Sequence, residues 1–418
     1  MTTLEAAASR RRLSQPELEI IVVAHERFVA GRPGGRRAVL RMADLSKLDL
    51  SRRSLDDADF AGSMFDGARL AEVRLARGAL YCTSLRRADL RRAVLNRADL
   101  RGACLTGANL SGADLGGADF REGQIAVAHP RRGLDIARRE TRTGVLDHAN
   151  LSGATLRGSN LDGVSACSAD FSDCLMKGVS LLGANLKDAN FAGAMLEDVK
   201  IAGANFQGVR LTGAVLSDVD VDAMRRMGAD VSDCLREPSV EALALVPDHI
   251  ETARQHQSWV RSGGREGKPA VFTGADLRSL GAALKGLVLP ALSAKGACMM
   301  GLDLSGAQLQ GASLEGADLR SADLTKADLR GARLTGADLT KARLDGAVLC
   351  DLPLGGGRST PTRLDGARLR YASMVGADLS GAIFHLSDLG DADLTGANLG
   401  SAGLQGADLT QVIGLVLA

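Results

Sequence analysis

The chain has 418 residues, 51 Lys and Arg against 50 Asp and Glu, a net charge of +1 and only 3% aromatic residues. That balance excludes a whole-molecule polyelectrolyte acting on nucleic acid or an anionic membrane. The scarcity of rings beside 50 glycines points to a narrow interior with no room for them. Seven scattered cysteines (82, 104, 167, 174, 234, 298, 350), without a Cys-x-x-Cys pair, argue for a reduced compartment with neither disulfide framework nor zinc site.

In chain order, Arg10-Arg11-Arg12 has no apolar region behind it, and no apolar run reaches bilayer-spanning length, so the expected location is the cytoplasm. Residues 1–37 read as an N-terminal cap and linker. Within them, Ser14-Gln15-Pro16-Glu17 opens a capped helix over 14–30, whose Leu18, Ile21, Val22, Phe28 and Val29 cover the open end of the first block. From Leu40 to Phe120 every fifth residue, seventeen positions in all, is Leu or Phe, which defines that block at 38–122.

The commonest unit is Ala-(Asp/Asn)-Leu-x-x, as in Ala322-Asp323-Leu324-Thr325-Lys326. A period of five suits neither a lone helix nor a flat strand, but it suits a solenoid that turns a corner in each unit. The central Leu and the Ala two residues before it face inward. The Asp or Asn between them faces outward, and Gly or polar residues serve the corners.

Residues 123–143 read as an inserted β-hairpin with a turn at His129-Pro130-Arg131-Arg132-Gly133. A second block, 144–223, resumes in a shifted phase from Leu146 to Val221, with Ala166 the one lapse. Residues 224–269 read as a helical linker and second cap, broken near Pro238 and ending at Gly263-Gly264. The third block, 270–418, is irregular from Phe272 to Ala294 and regular from Met299 to Leu409, with a phase-keeping loop at 355–361.

On these residues the chain resembles the pentapeptide-repeat proteins. The resemblance implies an all-β solenoid, a right-handed quadrilateral β-helix with four units per coil, here with short capping helices and one inserted hairpin. Twenty residues per coil would then stack Leu40, Phe60, Leu80, Leu100 and Phe120 in one column.

The chain also repeats itself. His25-x-x-Phe28-Val29 before Gly35-x-x-Ala38-x-Leu40 matches His256-x-x-Trp259-Val260 before Gly267-x-x-Ala270-x-Phe272. Two helix-capped solenoids in tandem, about 1–235 and 236–418, are expected. His25, Phe28, His256 and Trp259 form the candidate capping motif, in which the aromatic plugs the coil end; a repeated ligand site is the competing reading.

Nothing in the pattern suggests catalysis. Almost every Asp sits at the outward position, the six histidines (25, 129, 148, 249, 256, 385) lack metal-ligand spacing, and no nucleophile or phosphate-loop signature occurs. No enzyme activity, cofactor or metal is expected.

Charge distribution is more telling. Residues 69–142 carry fifteen Arg, eight acids and no Lys, whereas 144–223 is net −5 and 282–412 net −2. Arg77, Arg86, Arg87, Arg91, Arg92, Arg97 and Arg101, with Arg131, Arg132, Arg138 and Arg139 on a protruding hairpin, form a candidate interaction face suited to bidentate contacts. The expected function is a protein-interaction scaffold or adaptor whose partner proteins the sequence does not identify. Nucleic acid is disfavoured because only Tyr81 interleaves the arginines.

The family suggests an alternative, since some members inhibit or protect type II topoisomerases as acidic mimics of DNA; the basic first block argues against it. A third reading is a self-assembling or membrane-surface structural protein. Glu17, Glu19 and Glu26 disfavour a membrane anchor, while the tail Val412-Ile413-Gly414-Leu415-Val416-Leu417 offers an end-to-end homodimer contact.

Overall fold

In each five-residue unit an inward Leu or Phe and an inward small residue are followed by a corner. Leu80, Leu85, Leu90, Leu95 and Leu100 are buried, as are Ala88, Ala93 and Ala98. The corner falls two residues after the centre, where the backbone turns left-handed: φ is 56° at Arg77, 53° at Arg87 and 57° at Arg97. Four corners bring the chain back to its starting side. Asp59, Ala79 and Asp99 therefore bridge in parallel at intervals of twenty, as do Ser84 with Cys104 and Asp89 with Asn109. Hydrogen bonds run from coil to coil: Leu80 N–H donates to Asp99 O at 2.9 Å, and Asp99 N–H donates to Gly78 O at 3.0 Å. The result is a repeat β-helix.

The structure is a computed structural model describing residues 10–129, 133–232 and 234–415. It divides into two units, residues 1–237 and 238–418, each with its own apolar core. Rings do fit inside, contrary to expectation. Every phenylalanine except Phe28 is buried at a central position, and Phe171 stacks on Phe191, one coil on, with centroids 4.8 Å apart. A flat ring takes the place of a Leu and finds its partner along the coil axis.

In the first unit, β1 (Arg11–Arg12) pairs in parallel with β2 (Ala43–Asp44). Helix α1 (Gln15–Val29) starts where Ser14 N–H and Oγ–H both donate to the Glu17 carboxylate at 2.8 Å. It lays Leu18, Val22 and His25 against the coil. Strands β3 (Gly123–His129) and β4 (Gly133–Arg142) form an antiparallel hairpin with a bulge between Ala126 and Val127. Because of it Cys104 bridges Val145, forty-one rather than twenty residues on. Further along, β5 (Leu175–Lys177), β6 (Met195–Glu197) and β7 (Val215–Ser217) make a three-stranded parallel sheet on one side.

The second block does not give way to a helical linker at 224. Helix α2 (Val221–Arg226) starts inside that block and buries Met224. Asp230 and Leu235 then rejoin the coil, bridging Arg210 and Val215. One helical turn replaces one side, and the remaining sides are completed in the ordinary way.

In the second unit, α3 (Val240–Ala244) and α4 (Val246–Arg261) precede the first coil. A 3-10 turn, Arg278–Leu280, belongs to a coil with two extra residues, since Val271 bridges Ser293 and Asp276 bridges Cys298. From Val288–Gln308 the interval of twenty is restored. The break expected at 355–361 begins earlier and is itself a hairpin, β8 (Leu352–Gly355) with β9 (Arg358–Thr360). Arg333 bridges Arg363, thirty residues on, so the phase survives. Among the described residues no helix is long and apolar enough to cross a membrane.

Candidate interaction surface

The Asp or Asn before each centre faces outward, yet it is occupied. Its Oδ1 accepts the backbone N–H two residues on, as from Ser51 to Asp49, Ser152 to Asn150 and Thr325 to Asp323, each at 2.9 Å. This Asx turn shapes the corner. Where an Arg follows the centre, it also clamps that carboxylate. Arg91 donates Nε and Nη2 to Asp89 at 2.7 and 2.6 Å, and Arg101 does the same to Asp99 at 2.9 and 2.8 Å. The clamp recurs at Asp276–Arg278, Asp318–Arg320 and Asp328–Arg330. Burial opposes the charge on Asp89, but the guanidinium and N–H of Arg91 outweigh it and hold that carboxyl below its usual range.

The arginines singled out by sequence therefore fall into groups. Arg91 and Arg101 are clamped, and Arg77 reaches back one coil to Asp57 (Nη2–Oδ2 2.6 Å). Arg92 is half-buried at its corner. Arg86, Arg87 and Arg97 are exposed and have no side-chain partner among the described residues. The fold does not place the set on one face. Successive units point to successive sides, so arginines five apart are turned away from one another. Arg86 with Arg87, Arg91 with Arg92, and Arg101 follow three different bridge columns, and only Arg77 and Arg97, twenty residues apart, stack one coil on the next. The arrangement is a belt around the coil. Arg139 is exposed on β4; Arg131, Arg132 and the side chain of Arg138 lie outside the described residues.

The hairpin is seated at its base, where the sequence suggested a protrusion. The Tyr81 hydroxyl donates to Gln124 O at 2.7 Å and accepts the Gln124 N–H, while the Arg101 guanidinium lies 5.3 Å over the Tyr81 ring. A methyl group on Gly123 would stand 2.8 Å from Arg101 O and 3.0 Å from Cys82 Sγ, so only Gly allows this approach. Cys82 is buried beneath, and burial pushes its thiol up to about 11.

At the two caps the buried member of the motif is the histidine. His25 and His256 are fully buried. Phe28 is 44% exposed and meets the His25 ring at 5.7 Å, so the aromatic does not plug the coil end. Trp259 stands in the same relation to His256, at 5.6 Å. Each imidazole joins two backbone groups: Ala38 N–H donates to His25 Nδ1 (2.9 Å) and Nε2 meets Asp56 O (2.9 Å). In the second unit Ala270 N–H donates to His256 Nδ1 (2.8 Å) and Nε2 meets Pro290 O (3.0 Å).

Other cap residues lack any marked sequence signal. The Gln15 amide exchanges two 2.8 Å hydrogen bonds with the N–H and C=O of Asp49, acting as an added strand residue. Glu26 accepts Ser54 N–H at 3.2 Å and both Nε and Nη2 of Arg53 at 2.9 Å. Gln257 accepts Val288 N–H at 3.1 Å. A polar residue opposite a coil edge could have been found only by knowing which edge was open. Among the described residues no group of three His, Cys, Asp or Glu could hold a metal ion.

The family model for pentapeptide repeats matches in eight copies that together cover residues 43–78, 83–121, 145–218, 297–336 and 362–413, more than half of the chain. No curated protein matches. Among solved structures, HetL, a pentapeptide repeat protein involved in heterocyst differentiation regulation in Nostoc sp. strain PCC 7120, is 21% identical. That match covers 92% of this chain and 94% of HetL, with a TM-score of 0.21. QnrB1, a plasmid-mediated fluoroquinolone resistance protein, is 20% identical over 51% of this chain and 98% of its own, with a TM-score of 0.27. A pentapeptide repeat protein of the Arabidopsis thaliana thylakoid lumen is 26% identical over 31% and 66%, with a TM-score of 0.17. Likeness at these scores carries no argument about function.

Proposed function

The chain belongs to the pentapeptide-repeat family, and from that premise we propose that it is a non-enzymatic protein-interaction scaffold. Its contact is the coil bearing Arg86, Arg87 and Arg97, with the hairpin seated beside it. One observation carries the reading: these three arginines stay exposed and, among the described residues, unclamped, on a coil where Arg91 and Arg101 are each held by their own Asp. Unpaired guanidinium groups on a rigid backbone favour a partner presenting carboxylates in planar, bidentate fashion. Going round the coil, the corner of Cys82 and Gly102, against which Gly123 of the hairpin is seated, falls between the corner of Arg97 and that of Arg87. Insertions into a regular repeat are where individual function tends to reside. The same reading takes the four-sided coil as right-handed, the sense almost always adopted between parallel strands.

An acidic mimic of duplex DNA would need a continuous free carboxylate face. Many carboxylates here are engaged by Asx turns and arginine clamps, so the mimic reading is not adopted.

The test is affinity capture from lysate of the source organism. The baits are the wild type, the triple variant R86E/R87E/R97E and a control reversal in the other unit, K326E/K341E. The expected result is a protein retained by wild type and control and lost from the triple variant. Undiminished capture by the triple variant would remove the arginine belt as the contact.

A further inference from the structure

The two caps share a buried histidine whose ring nitrogens are both engaged by backbone of the segment it closes. Ala38 N–H can be accepted only by a bare Nδ1, so the ring proton of His25 sits on Nε2 and is donated to Asp56 O. The same logic fixes His256 between Ala270 N–H and Pro290 O. A second proton on either ring would set N–H against N–H and leave a charge in a buried site. We propose that His25 and His256 are a matched pair of acid-sensitive latches. Protonation of the imidazole releases α1 and α4 from the coils they close and bares the edge of each first coil.

The charged surroundings differ between the two. His25 faces Asp56 and Asp57 on the coil and Arg37 in the linker, while Glu26, next to it on α1, is tied to Arg53. At His256 only the Pro290 carbonyl offsets burial. His249, two turns earlier on α4, meets Phe272 edge-on at 5.5 Å. In both latches burial is the largest influence and lowers the pKa from its ordinary value of 6.5. The docked cap therefore takes a proton less readily than the undocked one. Docking is at full strength above about pH 6.5 and weakens as pH falls below it, by up to about tenfold in the docking equilibrium per pH unit. Release frees the N–H and C=O of Asp49, now held by Gln15, and the N–H of Ser54, now held by Glu26. An edge so exposed is a template for a further strand.

Hydrogen–deuterium exchange on the full chain at pH 7.5, 6.5 and 5.5, corrected for intrinsic rates, tests the latch. The expected result is a loss of protection in α1 and α4 of up to about tenfold per pH unit below 6.5, with amides of the regular coils such as Leu100 and Leu329 unchanged. In His25→Gln the amide keeps one donor and one acceptor without a titrating group, so α1 loses its pH dependence while α4 retains it. His256→Gln does the converse. Protection independent of pH in the wild type, or the same loss in both glutamine variants, overturns the proposal. Should a glutamine variant fail to fold, nitrogen NMR of the wild-type rings decides: imidazoles that titrate near 6.5 while cap protection persists would contradict it.

Discussion

Asp99 and Leu100 are adjacent in the chain and face opposite ways. Leu100 is fully buried in the core of its coil, whereas Asp99 stays at the surface, holding the Arg101 guanidinium. Leu100→Arg removes a buried side chain worth about 2–5 kcal/mol and adds an unpaired charge. Soluble yield and proteolysis should show it unfolded. Asp99→Arg breaks a half-exposed pair worth at most about 1 kcal/mol, and it should fold.

A second residue-scale prediction concerns pH. Asp303 is held down to about 2, first by the Ser305 hydroxyl, then by Lys285 and the Ser305 N–H. Its folded value lies below its unfolded one, so its contribution is complete above about pH 4 and is lost as pH falls towards 2. Acid titration of stability should flatten in that window in Asp303→Asn. The buried Cys82, with its raised thiol, should resist alkylation in the native state and react on unfolding.

Much of this scale was readable in the sequence. The tripeptide Asp-Leu-Arg at 89–91, 99–101, 318–320 and 328–330 is the clamp itself, because the centre's inward turn leaves its two neighbours on the same outer side. Counting arginines as one face failed because the corners send successive units in four directions.

At the scale of elements, the helix start at Ser14-Gln15-Pro16-Glu17 carries its own signal, and α1 begins at Gln15. The role of the shared aromatic did not follow from spacing: Phe28 lies at the helix end near the surface, and the plug is His25. The glycines of the duplicated motif were legible as a pattern but not as a cause. A methyl group on Gly35 would lie 2.6 Å from Phe28 Cα, and one on Gly267 would lie 2.8 Å from Trp259 N. Both residues are pressed against the backbone of a cap helix. Gly35→Ala should loosen α1 alone and Gly267→Ala should loosen α4 alone, each read as faster amide exchange in that helix. Residues 229–235 read as helical because the period of five lapses at Arg226, the first central position after Val221, and again at Arg236, leaving Val231 as an isolated apolar centre. Hydrogen bonds to the neighbouring coil decide the conformation there.

At the scale of the whole molecule, each unit has its own apolar core and its own helix at the first coil. Adjacent coils within a core support one another, so unfolding should propagate through a unit. The period of five and the tandem duplication made this organisation visible in the sequence. The arginine belt and the partner groups of the caps were not visible, because they depend on which residues meet after twenty residues of winding. The most direct measurement is scanning calorimetry of the wild type beside Gly35→Ala and Gly267→Ala. Two transitions are predicted, with Gly35→Ala lowering one and Gly267→Ala lowering only the other. A single transition lowered equally by both substitutions would contradict two separately capped coils.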